Sequence, residues 1–280
     1  MRKISVRSIE DALFDCIRQS SFDLGPRELD ALRRARDSET SDTGKNILDQ
    51  LLRNADIART ERRPLCQDTG LAVVFLDLGQ EVALVDGDLT AAVNSAVARA
   101  YTELHLRLSV VAHPLDRRNT GDNTPAILHV RIVPGDRVRL RFAAKGGGAE
   151  NMSRLAMLTP SAGRAGVVDF VVRTVRESLA NPCPPLVVGV GLGGNFETVA
   201  LAAKEALLRP LGEPALDERD AALERELLAA LNSTGVGPMG LGGRTTALAV
   251  HVASRPCHIA ALPVAVNLDC HSHRHGEVLI

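Results

Sequence analysis

The chain has 280 residues, 45% hydrophobic and 24% charged, with a formal net charge of −1. Its length allows a sizeable core, and its composition is that of an ordinary globular protein. The balanced charge excludes a general electrostatic grip on nucleic acid, and no Trp with a single Tyr excludes stacking platforms for bases. The N-terminal stretch MRKISVRSIEDALFDC lacks the apolar core of a signal peptide, and IAALPVAVNL near the C-terminus is too short to span a bilayer. A cytoplasmic, membrane-free location is therefore expected. The cysteines are Cys16, Cys66, Cys183, Cys257 and Cys270, and an odd count in a reducing compartment argues against a disulfide framework.

In chain order, residues 1–60 read as helical. Ile9, Ala12, Leu13, Cys16 and Ile17 share one helical face, which makes Cys16 a small core residue. A second helix is expected near Pro26 and a third through Ile47, Leu48, Leu51 and Leu52. LAVVFLDL reads as a strand, and DLTAAVNSAVARAYTELHL as a helix capped at Asp88 or Thr90. AILHVRIV and RVRLRFAA are strand-like runs separated by the turn PGD. GVVDFVVRTVRESLA is an amphipathic helix. PLVVGVGLGG is a strand with a glycine loop, FETVALAAKEALL a helix, and residues 219–231 another helix. TTALAVHVA and HIAALPVAVNL close the chain as strands. Helices and strands mix without a clean βαβ alternation. The expected fold is α+β, a single mixed helix-and-sheet domain over 1–280, with 1–60 a helical lead-in and 61–280 the mixed part.

Several clusters have chemical potential. GVGLGG follows a strand and precedes a helix, as a dinucleotide fingerprint does. It lies outside a clear βαβ unit with no suitable acidic residue closing a following strand, so a tight strand-to-helix turn is the preferred reading and a helix N-terminus facing an anion the intermediate one. KGGGAEN places three glycines where backbone approaches closely and offers N–H groups. Its Lys145, one of four lysines, is either a site residue or a solvated loop lysine. Cys66, Cys183 and Cys270 each lie at an element terminus, and Pro182, Pro184 and Pro185 are expected to hold the chain around Cys183 extended. No CxxC occurs, so the spacing alone leaves metal ligands and buried fillers both open. CHSHRHG reads as a metal tract or, preferentially, a solvated cationic tail. His251 fits core or surface, and His258 begins a strand at a position open to a site. Arg107, Arg117 and Arg118 are either carboxylate forks or partners in surface ion pairs.

Together, LCQDTG, LRLSVV…PLDRRNTGDNTPA, KGGGAENMSRL, NPCPPLVVGVGLGGNFETVALAAKEALLRP, GVGPMGLGGRTTALAVHV and PCHIAALPVAVNLDCHSHRHG resemble the alpha subunit of class I, iron–sulfur-dependent fumarate hydratases, a family that includes the L-tartrate dehydratase alpha subunit. The resemblance runs from about residue 10 to the end. It implies a [4Fe–4S] cluster held by Cys66, Cys183 and Cys270, with one iron left as a Lewis acid for hydration of fumarate to L-malate, a tricarboxylic acid cycle reaction. It also implies Asp68 as a proton-handling group, Gln67 as a substrate hydrogen-bond donor and Arg107 as a carboxylate clamp. Lys145, Gly147 and Gly148 would line the substrate, and His258 would be a catalytic or substrate contact supplied across a subunit interface. Single-chain members carry a further C-terminal domain. This chain is expected to use a separate beta subunit instead, in an α2β2 assembly, and to be inactive alone. KGGGAEN leans toward fumarate over L-tartrate, the alternative substrate. A cluster- or zinc-binding scaffold without catalysis is the other class of answer, and Asp68, Gln67 and Arg107 argue against it, because a scaffold needs only thiols.

Overall fold

The computed structural model describes all 280 residues. In chain order the elements are β1 (Arg2–Ser5), α1 (Val6–Phe22), α2 (Pro26–Ser38), α3 (Asp42–Glu61), β2 (Leu71–Gly79), β3 (Val82–Val85), α4 (Leu89–Glu103), β4 (Ile127–Val133) and β5 (Val138–Lys145). There follow α5 (Gly147–Glu150), β6 (Arg154–Leu158), α6 (Gly163–Ser178), β7 (Leu186–Gly194), α7 (Phe196–Ala206), α8 (Glu218–Asn232), β8 (Ala247–Cys257), β9 (Leu262–Asp269) and β10 (His275–Leu279). The mixed α+β class and the helical N-terminal region agree with the expectation from sequence, apart from β1, which pairs in parallel with β3. No helix is long and apolar enough to cross a membrane.

The chain packs as two compact units, each assembled from separated segments. The first comprises residues 1–24, 57–147 and 274–280, and the second 25–56 and 148–273. The helical lead-in expected over 1–60 is thus shared between them.

Unit 1 is a four-stranded sheet in the order β10-β5-β2-β4. One face is covered by α1 and α4, whose Ile9, Leu13, Ile17, Val93, Ala96 and Val97 pack onto alternate strand residues Val74, Leu76, Leu140 and Phe142. Cys16 belongs to this core, and burial pushes its thiol up to about 11, the behaviour of a filler residue. The PGD turn does not make a hairpin. β4 runs parallel to β2 and β5 antiparallel to it, so β2 lies between them. The reason is in the sequence of β2. LAVVFLDL is apolar at successive positions, and a strand apolar on both faces takes a central place.

Unit 2 has the sheet order β6-β9-β7-β8. α6 and α8 cover one face through Phe170, Val171, Leu227 and Leu231. α7 covers part of the other through Val199 and Ala203, and α2 adds Ala31 beside Val187 and Ala249. The GVGLGG stretch has a packing role here. A Cβ on Gly189 or Gly191 would run into the carbonyl oxygens of Ala203 and Val199, so these glycines let α7 lie directly on β7. The helix N-terminus is capped internally: Asn195 Oδ1 accepts from the Thr198 N–H and Thr198 Oγ1 accepts from the Asn195 N–H. His251 is buried against the Ala206 carbonyl, a core histidine.

Candidate active site

The LCQDTG turn enters β2 and is held from several sides within unit 1. Gly70 has φ +79, and a Cβ there would lie 2.8 Å from the Lys145 backbone, so only glycine fits this close approach. Tyr101 Oη donates to the carbonyls of Thr69 at 2.8 Å and Gly70 at 3.1 Å. Asn123, 0% exposed, donates through Nδ2 to the Gly70 carbonyl and accepts the N–H groups of Ser109 and Val110 through Oδ1. Thr69 Oγ1 donates to the Arg107 carbonyl at 3.0 Å, tying the LRLS segment to the same turn. Burial pushes the Tyr101 hydroxyl well above its ordinary range, with the Arg274 charge lowering it and the Asp68 charge raising it, so it stays a donor.

Asp68 is fixed at the mouth of the turn. Its Oδ1 accepts from the Gly70 N–H at 3.0 Å and its Oδ2 from the Gly147 N–H at 2.7 Å. These bonds bring CQDTG and KGGG together. Gly147 thus spends its N–H on Asp68. Gln67 and Arg107 are exposed and free to face solvent or a ligand, whereas Lys145 is 2% exposed and so is not the solvated loop lysine that was one of its two expected roles. Arg117 and Arg118 lie at the exposed tip of the 107–125 segment.

In unit 2, sheet register closes the 87-residue gap between two of the cysteines. Cys183 precedes β7 and Cys270 follows β9, and Val187 pairs with Asp269 in the antiparallel ladder between those strands. His271 Nδ1 bonds the Cys183 carbonyl at 2.9 Å. The chain at Cys183 is not extended as its prolines suggest. Its N–H closes a turn onto the Ala180 carbonyl at 2.9 Å, and its φ is +56, a left-handed conformation that costs a non-glycine residue about 1–2 kcal/mol. Gly148 lies beside the Asn181 carbonyl, next to the same turn.

His258 is elsewhere. It is exposed in the turn from β8 to β9, whereas Cys270 follows the far end of β9, eight residues and roughly 25 Å of strand away. Unit 2 therefore does not bring His258 to Cys183 and Cys270. The expected solvated tail is also corrected. Ser272, His273 and Arg274 are buried, His273 bonds Asp269 Oδ2 at 2.8 Å, and from His275 the chain pairs as β10 with β5. A cleft within unit 2, about 710 Å³ beside Arg34, Arg225, Leu228 and Arg244, contains none of the expected site residues.

The cysteines separate by surroundings. None is in a disulfide; Cys16 is core and Cys257 is exposed in the β8–β9 turn region with His258. Cys66, Cys183 and Cys270 are half-buried, each in a turn fixed by hydrogen bonds of its own segment. Within unit 2, Cys183 and Cys270 are thiols of the kind that ligate iron–sulfur clusters. Sequence inspection missed Tyr101, Asn123 and Arg274. Asn123 lies inside a motif noted for its arginines, and the single tyrosine on an otherwise apolar helix face was the available signal for Tyr101.

Comparison with known proteins identifies the family. Residues 10–279 match the family described as Fumarate hydratase (Fumerase). A Methanocaldococcus jannaschii protein provisionally described as L(+)-tartrate dehydratase subunit alpha is 39% identical over 274 residues, covering 96% of each chain. The L(+)-tartrate dehydratase subunit alpha of Escherichia coli K12 and that of E. coli O157:H7 are each 36% identical over 256 residues, 90% of this chain and 84% of theirs. Hydratases and dehydratases of this kind are hydro-lyases, which add or remove water across a carbon–carbon bond. The chain belongs to the fumarate hydratase (Fumerase) family of hydro-lyases.

Proposed function

We propose that the chain is the alpha subunit of a two-subunit fumarate hydratase, interconverting fumarate and L-malate with a [4Fe–4S] cluster. The observation that carries this reading is the Asp68 carboxylate held by the Gly70 and Gly147 N–H groups. It joins a proton-handling carboxylate to the KGGG loop, the motif that leans toward fumarate. Cys66, Cys183 and Cys270 would hold the cluster, which when bound supplies Lewis-acid polarisation of the substrate hydroxyl. Asp68 holds and moves the proton on the carbon next to a carboxylate, where its fixed oxygens are ready to accept it. Gln67 donates a hydrogen bond to the substrate, and the exposed Arg107 fork binds a carboxylate. Gly148 offers its backbone N–H, Gly147 acts by fixing Asp68, and Lys145 supports the loop from its buried position. His258, remote from Cys183 and Cys270 within unit 2, would serve the site of another copy in an α2β2 assembly.

The relatives' designation as subunit alpha supports a beta partner. With fumarate and L-malate as substrates the reaction is one of the tricarboxylic acid cycle, and a cytoplasmic location is part of the same proposal. The test is anaerobic co-purification with the beta subunit and assay on fumarate, L-malate and both tartrates. Interconversion of fumarate and malate by the pair, with no turnover by this chain alone, is expected. Substantial turnover by the isolated chain would sink the two-subunit reading. The relatives' names favour a second reading, L-tartrate dehydration, and a higher kcat/KM on L-tartrate than on malate would select it. A cluster spectrum without turnover of any of the four acids would select the scaffold.

A further inference from the structure

Unit 1 contains a buried arginine that its own chain leaves without a counter-charge. Arg274 is 2% exposed, its Nε has no hydrogen-bond partner, and it forms no ion pair. The other buried arginine of this unit, Arg141, has Asp77 Oδ2 at 3.5 Å. A guanidinium removed from water without a partner is costly, and a fold keeps one only where something else compensates.

Its surroundings indicate what compensates. The Arg274 carbonyl accepts the Ala144 N–H at 3.1 Å, which anchors its backbone beside the end of β5. A Cβ placed on Gly146 would lie 3.7 Å from Arg274 Nη2 and 3.3 Å from Asp68 Oδ2, so both groups border the space that this glycine leaves open. Asp68 borders the same gap but forms no ion pair with Arg274. Each of its oxygens is engaged by a backbone N–H, from Gly70 and Gly147. A guanidinium fork and a fixed carboxylate on either side of a glycine gap suit an acid whose carboxylate neighbours a carbon that exchanges a proton.

We propose that Arg274 is a substrate-binding residue whose guanidinium takes one carboxylate of the dicarboxylate beside Asp68. This rests on the hydro-lyase reading above. Arg107 then binds the substrate from the exposed LRLS segment, and Arg274 binds it from the buried side. The unpaired charge is a cost to the empty protein that substrate binding relieves.

The test uses the cluster-loaded αβ complex and the variants Arg274→Met and Arg274→Lys. Three quantities are read: KM and kcat on fumarate and malate, the melting temperature without ligand, and its shift with succinate, a non-reacting dicarboxylate. For Arg274→Met, KM should rise by at least about 30-fold, the succinate shift should vanish, and the ligand-free melting temperature should equal or exceed that of the wild type. A structural arginine behaves oppositely: a lower ligand-free melting temperature with KM and the succinate shift retained would overturn the proposal. Arg274→Lys keeps the charge but loses the fork, and stays informative should the methionine variant not fold. Its KM should rise about tenfold, and an unchanged KM would overturn the proposal. Should the wild-type complex turn over none of fumarate, malate or tartrate, the functional reading fails, and the succinate shift of wild type against Arg274→Lys still decides the role of Arg274.

Discussion

In unit 1 several buried polar groups converge on one turn. Thr69, Tyr101 and Asn123 are spent holding the backbone that presents Gln67 and Asp68. In unit 2 the buried polar groups are dispersed and tie scaffold segments together. Glu224 receives the Ala215 and Val252 N–H groups and pairs with Arg209. Glu39 receives those of Thr40, Ser41, Arg244 and Thr245. Between these ties, packing of α7 onto Gly189 and Gly191 and of α6 and α8 onto the opposite face supplies the rigidity. The difference teaches that buried side chains bonded to backbone groups serve the proposed site in one place and cohesion in the other. Substitutions in unit 1 should therefore cost activity more than stability, and those in the unit 2 scaffold the reverse.

The sharpest contrast pairs Asp68 with Cys183. Asp68→Asn in the αβ complex should lower kcat by about 10²–10⁴-fold, about 3–5 kcal/mol of barrier, while leaving the visible iron–sulfur absorbance intact. Cys183→Ser should remove both absorbance and activity. Activity surviving in the asparagine variant would deny Asp68 its proton-handling role.

Glu39 tests cohesion through pH. Burial opposes its charge, but the Ser41, Arg244, Thr245 and Thr40 N–H groups outweigh it and hold the carboxyl at about 2, against an ordinary 4.5. A depressed folded pKa stabilises above the unfolded value, and that contribution is lost as pH falls from about 4.5 to about 2. It amounts to about 3 kcal/mol, from 1.36 kcal/mol per pKa unit. Urea unfolding of wild type and Glu39→Gln should differ by about this much at pH 7 and converge near pH 2. A difference constant across that range would show that the N–H contacts do not depend on the charge.

Gly191→Ala presses a methyl into the Val199 carbonyl and should destabilise by about 2–3 kcal/mol. In a complex that remains folded, KM should not change; a raised KM with unchanged stability would break the division of labour. Smallest is Tyr101→Phe, which deletes donation to the Thr69 and Gly70 carbonyls. It should cost about 1–2 kcal/mol of stability and lower kcat a few-fold by loosening the turn under Asp68. No effect on kcat would mean that Asn123 and Thr69 suffice.

Much of this protein was legible in its sequence. The apolar periodicity of Ile9, Leu13 and Ile17 and the continuous apolar run of LAVVFLDL specify their elements, because burial of a helix face or a strand follows from residue spacing alone. Resemblance to the family's motifs singled out Cys66, Cys183, Cys270 and Asp68 for the proposed site, because motifs name residue types wherever the chain places them. Only the tertiary structure decided which segments meet. It put β2 between β4 and β5, set Cys183 and Cys270 at one end of a sheet and His258 at the other, buried Lys145, and turned a histidine-rich tract into a sheet edge with Arg274 facing Asp68 across a glycine gap. Those outcomes depend on strand order and on partners dozens to hundreds of residues apart. Whether a polar side chain is solvated, spent on a backbone group or left waiting for a ligand is set by neighbours that local sequence does not contain.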